Sequence, residues 1–332
     1  MVKKIIAVFL SALILSSGMS GVVPVVHSAG SDYQYTVENG AVKIVKYTGS
    51  EASVEIPAVL DGYQVKVIGD GSFRFNTSVR EVIIPIGVEK VETRAFDYCT
   101  KLERVVLPDG ITTLGEFVFN SCISLASVSL PDSIVSMGSC CFAGCTSLVS
   151  AKLPASLGKV PISTFSGCKG LESIEIPKGY TSVEAGAFGN CTSLREVEIS
   201  DGVVTVGKNA FNGCTALERV IVPESVTSIG VPAFRDSAPI LAGVLGSYCE
   251  QYASENGLGF EALEKEGSIL IGDLDGDGKV NAKDSNILKR IVAGSTSITD
   301  AQKKAADING DGKINSMDSN VLTRIAAGVT AS

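Results

Sequence analysis

Apolar side chains recur along the middle of the chain with a fixed period of 23 residues. The phenylalanines on this period are Phe73, Phe96, Phe119, Phe142, Phe165, Phe188, Phe211 and Phe234. Cysteine follows the same period at Cys99, Cys122, Cys145, Cys168, Cys191 and Cys214, with Asn76 and Ser237 at the matching end positions. A fixed period in this range is typical of a solenoid, in which each repeat forms one coil and packs against its neighbours.

One repeat, CTALERVIVPESVTSIGVPAFRD at 214–236, indicates how a coil is built. Val220 and Val222 point inward from a short strand, because alternate residues of a strand face the same side. Pro223 ends the strand, since it has no N–H for a ladder. A single coil cannot bury its apolar face alone, so the coils must stack into one core. The pattern predicts a solenoid with one short parallel β-strand per 23-residue coil and about eight coils.

Irregular segments at both ends predict caps, which gives a repeat domain over residues 30–263. Residues 33–68 keep the strand signature VEIP at 54–57 and then insert extra residues. At the other end, SYCEQYASENG is typical of a short helix that Ser247 caps and Gly257 ends. We expect this helix to cover the open end of the stack.

The repeat consensus C-T-x-L-x-x-V-x-L-P-x-x-V-x-x-I-G-x-x-A-F resembles the 23-residue leucine-rich repeat of many bacterial and some protozoal surface proteins. The resemblance covers roughly residues 33–263. It implies a leucine-rich-repeat solenoid with a ligand-binding or adhesive role, and the partners of such proteins differ widely.

Stacking in register places the outward-facing strand residues in three ladders, with successive members about 4.8 Å apart. The ladders are Arg80, Glu103, Ala126, Val149, Glu172, Arg195 and Glu218; Glu81, Arg104, Ser127, Ser150, Ser173, Glu196 and Arg219; and Ile83, Val106, Ser129, Lys152, Glu175, Glu198 and Ile221. Opposite charges are neighbours at both ends of the first two, as adjacent strands favour. Either these charges keep the sheet soluble, or the face binds a protein. The ladders contain no aromatic residue, which disfavours sugar binding by this face.

The first residues have the order of a secretory signal peptide. Lys3 and Lys4 precede an apolar run over residues 5–15, and small residues follow before VVHSAG. The apolar run is too short to span a bilayer, so we expect removal of residues 1–29 and an exported, extracellular protein without a membrane span. Loss of the two lysines lowers the net charge from −8 to about −10, which makes nucleic acid an unsuitable partner.

Removal of this segment also bears on catalysis, because the only histidine is His27. The mature chain then lacks a histidine for a catalytic triad, a general base or a zinc site. Glu172, Glu175, Glu196 and Glu198 lie near enough to suggest a glycosidase carboxylate pair. An exposed ladder, however, gives neither a cleft nor a reason to raise one pKa. We therefore predict no catalytic residues and a protein that is not an enzyme.

The nine cysteines are predicted to be mostly reduced. Six occupy one core ladder, where a thiol behaves as a small hydrophobe, and parallel Cβ vectors are poor disulfide geometry. Cys140 and Cys249 lie outside the ladder and are the candidates for an oxidised state. Cys141 replaces the usual alanine before phenylalanine and is expected to be buried.

The C-terminal part contains two related strings, DLDGDGKVNAKD at 273–284 and DINGDGKINSMD at 307–318. Each is followed by a segment predicted to be helical, SNILKRIVAG at 285–294 and SNVLTRIAAG at 319–328. Calcium takes six to eight oxygen ligands, and alternate positions of such a loop point inward. The predicted ligands are Asp273, Asp275, Asp277, the Lys279 carbonyl, Asn281 through a water and Asp284, then Asp307, Asn309, Asp311, the Lys313 carbonyl, Asn315 and Asp318. Gly278 and Gly312 supply the sharp turns. Thr299 can cap a short connecting helix, DAQKKAA.

Two features distinguish these loops from a calcium sensor: position twelve is Asp rather than Glu, and no comparable helix precedes the first loop. The duplicated loop–helix unit closely resembles a dockerin, which we place at residues 269–332 after a linker at 264–268. The resemblance implies a small α-helical domain that folds around two structural Ca²⁺ ions and binds a cohesin module of a scaffoldin in a cellulosome.

The resemblance also assigns partner-binding residues by position, at loop positions ten and eleven and midway along each helix. These are Ala282, Lys283, Lys289, Arg290, Ser316, Met317, Thr323 and Arg324. Many clostridial dockerins have Ser-Thr at positions ten and eleven, whereas this chain has Ala-Lys and Ser-Met. The departure leaves the cohesin type open and makes the two halves unlike, which disfavours binding in two interchangeable orientations.

The sequence thus favours a secreted, non-catalytic cellulosome component of polysaccharide catabolism. The dockerin would bind a cohesin, and the repeat domain would present a surface to a protein or to cell-wall material. Two alternatives stay open: a surface adhesin anchored through the dockerin, and an atypical polysaccharide-degrading enzyme subunit.

Overall fold

The computed structural model describes residues 26–28, 32–263, 270–275, 277–298 and 300–328. For residues 27, 28, 300 and 301 it describes the main chain alone. The chain forms two compact units, of which the first ends at Glu261 and the second begins at Ala262. Most of the predicted signal peptide and the whole predicted linker, 264–268, lie outside the described residues. His27 and Ser28 pair with the strand that follows them, at Tyr35 and Gln34.

The first unit is a β-solenoid of about ten turns spaced by about 23 residues, so the predicted fold is confirmed. Its strands in chain order are β1 His27–Ser28, β2 Tyr33–Glu38, β3 Ala41–Tyr47, β4 Ser53–Glu55, β5 Val59–Leu60, β6 Tyr63–Ile68, β7 Glu81–Ile83, β8 Lys90–Val91, β9 Arg104–Val106, β10 Thr113–Leu114, β11 Ser127–Ser129, β12 Ser136–Met137, β13 Ser150–Lys152, β14 Lys159–Val160, β15 Ser173–Ile176, β16 Ser182–Val183, β17 Glu196–Ile199, β18 Thr205–Val206, β19 Arg219–Ile221, β20 Ser228–Ile229, β21 Ile240–Val244 and β22 Gly259–Leu263. Helix α1, Tyr248–Asn256, lies between the last two.

Each regular coil contributes a strand to each of two parallel ladders. The predicted strands form the first, in sheets β4-β7-β9, β11-β13 and β15-β17-β19-β21-β22. The return of each coil adds a second, two-residue strand, as in β14-β16-β18-β20. Pairing joins residues 23 apart, such as Glu81 with Arg104 and Glu196 with Arg219. Within each sheet the register confirms the predicted neighbours of the second and third ladders.

The N-terminal cap is an antiparallel hairpin joined to the second ladder. Strand β2 pairs antiparallel with β3, and β3 pairs parallel with β6. The residues inserted after β4 form a smaller hairpin of β5 and β6. The cap therefore begins the stack with strands that are longer than those of the regular coils.

The core contains a column of stacked rings that runs through the unit. From Phe96 to Phe234 the ring centroids of successive coils are 5.3–5.6 Å apart and the planes within 12° of parallel. Tyr47 extends the column at one end, stacked on Phe73 at 4.8 Å. At the other end, Tyr252 of α1 meets Phe234 edge-on at 6.2 Å. The helix begins after Ser247 and ends at Gly257, which has a φ of 68°, and it covers the end of the column as predicted. The predicted capping by the Ser247 side chain is wrong, because its hydroxyl makes no hydrogen bond to the first turn.

The second unit packs three helices around a small core. They are α2 Ala282–Val292, α3 Asp300–Ala306 and α4 Ser316–Ala326. The core consists of Leu274, Leu288, Ala305, Ala306 and Leu322. Helix α3 is the predicted connecting helix, and its predicted cap, Thr299, lies outside the described residues. No helix in the described ranges of either unit is long and apolar enough to cross a membrane.

Candidate metal centres and interaction surfaces

The first acidic loop brings three carboxylates together. Asp273, Asp275 and Asp277 have ligand oxygens within 4.8 Å of one another. The loop is held in this shape by its own main chain: Gly278 N–H donates to Asp273 Oδ2 at 2.9 Å, and Lys279 N–H donates to Asp277 Oδ1 at 3.0 Å. Converging carboxylate oxygens are the donors that a hard divalent cation such as Ca²⁺ prefers. The residues present therefore fit a calcium ion.

Asp284 closes this loop onto the first turn of α2. Its side chain is buried, and Oδ1 accepts from the N–H groups of Leu274 at 2.9 Å and Asp275 at 3.2 Å. Oδ2 accepts from Asn281 N–H at 2.9 Å. Burial raises the pKa of the carboxyl, but the main-chain donors outweigh burial and hold that pKa below its usual value. Asp284 is thus kept charged at the end of the loop, outside the group formed by Asp273, Asp275 and Asp277.

The second loop repeats these hydrogen bonds. Asp318 Oδ1 accepts from Ile308 N–H at 2.9 Å and Asn309 N–H at 3.2 Å, and its Oδ2 accepts from Asn315 N–H at 2.9 Å. Gly312 N–H donates to Asp307 Oδ2 at 2.9 Å. The sequence duplication is therefore also a structural duplication. One difference is that Asn309 takes the place of a carboxylate.

The ninth residue of each loop starts the following helix. Asn281 Oδ1 accepts from Lys283 N–H at 2.9 Å, and Asn315 Oδ1 accepts from Met317 N–H at 2.8 Å. With Asp284 and Asp318 each asparagine forms a capping box. The caps explain why α2 and α4 begin three residues before the predicted helical segments. Calcium binding by these asparagines through water, and by the carbonyls of Lys279 and Lys313, stays a prediction.

All eight predicted partner-binding residues are exposed: Ala282, Lys283, Lys289, Arg290, Ser316, Met317, Thr323 and Arg324. Thr323 also links the two loop–helix modules, because its hydroxyl lies 2.8 Å from that of Ser285 on α2 and donates to the Ser319 carbonyl at 2.7 Å.

The two modules differ in the side chains that their helices expose. On α4, Met317, Val321 and Ile325 are 63%, 38% and 48% exposed, and their spacing places them on one side.

On the strand face of the first unit, the predicted neighbouring charges form ion pairs. Arg80 pairs with Glu103, and Arg104 with Glu81. At the other end, Arg195 pairs with Glu218 at 3.4 Å, and Arg219 pairs with Glu196 at 3.1 Å and Glu261 at 2.9 Å. The coils between them carry Ala126, Val149 and serines. The glutamates that raised the glycosidase hypothesis, Glu172, Glu175, Glu196 and Glu198, are all exposed on this open face.

The thiols of the cysteine ladder bind the main chain of neighbouring coils. Each donates to the carbonyl of a phenylalanine 26 residues earlier, at 3.0–3.2 Å. All nine cysteines lie in the described part of the chain and none is in a disulfide. Cys141 and Cys249 are buried, and Cys140 is half-buried. The prediction of reduced core thiols agrees with this arrangement.

Comparison with known proteins identifies both units. Residues 66–183 and 140–250 match the BspA type leucine-rich repeat region, in six copies. The chain belongs to the BspA-type leucine-rich repeat proteins. Residues 271–325 of this leucine-rich repeat protein match the dockerin type I domain. No curated protein matches the chain.

Solved structures of bacterial leucine-rich repeat proteins are similar to it. The T. pallidum leucine-rich repeat protein TpLRR is 31% identical with a TM-score of 0.53, over 56% of this chain and 88% of that one. A leucine-rich cell surface protein from Faecalibacterium prausnitzii A2-165 is 26% identical with a TM-score of 0.46, over 66% of this chain and 76% of that one. The first likeness supports the solenoid fold.

The domain content gives the coarse function. Dockerin type I domains generally bind calcium and imply cohesin binding, and leucine-rich repeats imply protein interaction. Both domain types are typically non-catalytic, and proteins with dockerins are typically extracellular. The chain is therefore an interaction protein of the cellulosome type.

Sequence reasoning missed one group of residues, on the turns that precede the core cysteines. Phe75 and Tyr98 are exposed there with positive φ angles of 62° and 58°. The sequence carried a signal for them, because large aromatic residues at this repeat position are replaced by small or polar residues in later coils. Those residues are Ser121, Gly144, Gly167, Asn190, Gly213 and Asp236.

Proposed function

We propose that the chain is an exported, non-catalytic component that docks to a cohesin of a scaffoldin through a dockerin at residues 269–332. In this proposal residues 1–29 are removed on export, 264–268 form a linker, and the repeat domain at 30–263 presents a surface to a further ligand. The observation that carries the proposal is the duplicated loop–helix module, matched at residues 271–325 to the dockerin type I domain.

Two calcium ions are part of the proposal, one in each loop. The ion would be held at each site by the loop carboxylates, with Asp284 or Asp318 at position twelve. Calcium supplies positive charge that offsets the repulsion among these side chains. The aspartate at position twelve also accepts from three main-chain N–H groups at the beginning and end of its loop. Calcium binding would thereby fix the start of the helix that follows, as expected of a structural metal.

The two helices offer the cohesin unlike surfaces, which supports docking in one orientation. Helix α4 has an exposed apolar side made of Met317, Val321 and Ile325. At the equivalent positions α2 has the cation Lys283 and two isoleucines that pack against the core. Interfaces are richest in apolar and aromatic side chains at their centre and depleted there in lysine. We therefore assign the main cohesin contact to α4.

Two alternative functions, a surface adhesin and an enzyme subunit, would give different experimental results. A surface adhesin would use the dockerin only as an anchor, and an enzyme subunit would turn over polysaccharide. The glutamates of the strand face are exposed and partly ion-paired, and an open face of this kind does not enclose a substrate as a glycosidase site would.

The test is a pull-down of scaffoldin from the secreted proteins of the source organism, followed by a polysaccharide hydrolysis assay of the bound chain. Scaffoldin should be recovered with calcium and lost with EDTA or in the Asp273→Ala/Asp307→Ala variant. The Asp109→Ala/Asp201→Ala variant, changed at exposed aspartates of the repeat domain, is the matched control. The proposal would be overturned if scaffoldin were recovered equally with and without calcium. It would also be overturned if the chain hydrolysed polysaccharide and a point change in the solenoid abolished that activity.

A further inference from the structure

The turns that precede the core cysteines contain two positions per coil with a positive φ. At one of them, the first two coils have Phe75 and Tyr98, at 62° and 58°. At the other, Arg94 and Phe117 have φ angles of 55° and 57°. Later coils fill these positions mainly with Gly, Asn, Ser and Asp. The bulky side chains are thus concentrated on the turns near the N-terminal end of the solenoid.

A left-handed backbone is unfavourable for a large side chain, because Cβ crowds the following carbonyl oxygen. Core burial does not offset this cost here, since Phe75 is 58% and Tyr98 43% exposed. The residues that serve at this position elsewhere, glycine and asparagine, would relieve the strain. Strain that the fold does not need points to a functional constraint.

The aromatic side chains are held in a fixed arrangement. The rings of Phe75 and Tyr98 have centroids 5.3 Å apart, inclined by 39°. Arg74 places Cζ 4.5 Å from the centre of the Phe75 ring, and its Nε donates to Asp97 Oδ2 at 2.8 Å. Asn120 donates to the other oxygen of Asp97 at 2.8 Å. Ordered rings lose little conformational freedom when a ligand binds.

Polar residues surround the pair. Arg74, Asp97 and Asn120 lie one residue before the aromatic positions in successive coils, and Ser121 continues the aromatic row. A protein interface of ordinary size needs about 800 Å² per partner with an apolar centre. A two-ring strip with polar borders is too narrow for such a centre. It fits a ligand with apolar C–H faces and hydroxyl edges, which is the chemistry of a sugar chain.

We propose that this patch, Arg74, Phe75 and Tyr98, binds a neutral cell-wall polysaccharide. The rings would lie against the C–H faces of the sugars, and the Arg74 guanidinium would donate to hydroxyls. A neutral chain is favoured because Arg74 is paired with Asp97 and the net charge of the protein is −8, or about −10 without residues 1–29. The patch also supplies the aromatic groups that the strand ladders lack.

This inference rests on the proposed function in one respect, that the repeat domain of a cellulosome-type component presents a surface to a further ligand. Its test is independent of cohesin, so the two proposals can fail separately. The full chain without residues 1–29 is run in native gels containing xyloglucan, mixed-linkage β-glucan or xylan, and its affinity is derived from the retardation. At least one of these polysaccharides should retard the protein.

The Phe75→Asn/Tyr98→Asn variant should bind about tenfold or more weakly, because two ring contacts are removed. Asparagine tolerates the left-handed conformation, so the melting temperature of the variant should stay the same or rise. Tyr63→Ser removes another exposed aromatic ring and is the control that should keep binding. Absence of retardation in every gel, unchanged affinity of the double variant, or a lowered melting temperature would each overturn the proposal.

Discussion

The Cys168 thiol donates a hydrogen bond to the main-chain carbonyl oxygen of Phe142, 3.1 Å away in the preceding coil. The same bond recurs along the cysteine ladder, and at its end the Ser237 hydroxyl donates to the Phe211 carbonyl at 2.7 Å. Each of these bonds links a coil to the main chain of the coil before it, at the phenylalanine whose ring belongs to the stacked column. Cysteine serves as a small buried side chain that also satisfies a carbonyl.

Ser237 indicates which substitution the ladder tolerates. Cys168→Ser keeps a donor to Phe142, whereas Cys168→Ala removes the donor and leaves a small cavity. We expect the free energy of unfolding to fall by about 1–2 kcal/mol for alanine and by less for serine. Urea denaturation of the two variants measures the difference. A larger loss for serine would contradict the role assigned to the thiol hydrogen bond.

Thiol reactivity should follow burial. Burial raises the pKa of Cys168 to about 12 and of Cys249 to about 11, so little reactive thiolate is present near pH 8. Cys140 is the half-buried thiol. Labelling of the folded protein with a thiol reagent should therefore modify about one cysteine quickly, and Cys140→Ser should abolish that phase. Rapid labelling of several thiols in the native state would show that the ladder opens.

Glu92 should make the N-terminal cap sensitive to acid. Partial burial raises the pKa of this carboxyl, but Lys43, whose Nζ is 2.7 Å away, and Lys90 outweigh burial and lower that pKa below its usual value of 4.5. A lowered pKa in the folded state gives stability that is present above pH 4.5 and is lost as pH falls through the folded value. The melting temperature of Glu92→Gln should lie below that of the parent at pH 7 and converge with it near pH 3. A constant difference across this range would contradict the assignment.

Calcium should control the folding of the second unit. Differential scanning calorimetry of the full chain should show a transition that moves to higher temperature when calcium replaces EDTA, because binding to the folded loops adds stability. In Asp273→Ala/Asp307→Ala this shift should disappear while the solenoid transition stays in place. Asp109→Ala/Asp201→Ala should keep the calcium-dependent shift. If the parent protein had the same transition temperatures with calcium and with EDTA, the two metal sites would be refuted.

The apolar side of α4 should dominate cohesin binding. Met317→Glu/Ile325→Glu introduces charge where we place the centre of the interface, so affinity should fall at least about tenfold. A charge change at two exposed residues of α2, Lys283→Glu/Lys289→Glu, should have a smaller effect. Surface plasmon resonance on an immobilised cohesin measures both. A greater loss for the α2 variant would assign the main contact to the other helix.

The repeat fold was predictable because one period sets the strand, the turn and the core together. The Phe and Cys columns and the strand register follow from that period, whereas helix α1 was predicted from the residues at its two ends, Ser247 and Gly257. The second ladder was not predicted as strands, since two-residue strands such as β16 leave no alternation to detect. Helix starts were missed because Asn281 and Asn315 were assigned to calcium alone, although an asparagine also caps a helix. The conformations of Phe75 and Tyr98 were not predicted, although the glycines and asparagine at the same repeat position in later coils are typical of a positive φ.

The most direct test of the central claim is isothermal titration calorimetry of the full chain, without residues 1–29, against cohesins of the source organism's scaffoldins. With calcium present, we expect binding of one cohesin per chain, with no binding in EDTA or for Asp273→Ala/Asp307→Ala. Asp109→Ala/Asp201→Ala should bind as the parent does. Absence of binding to every such cohesin, or equal affinity with and without calcium, would contradict the account.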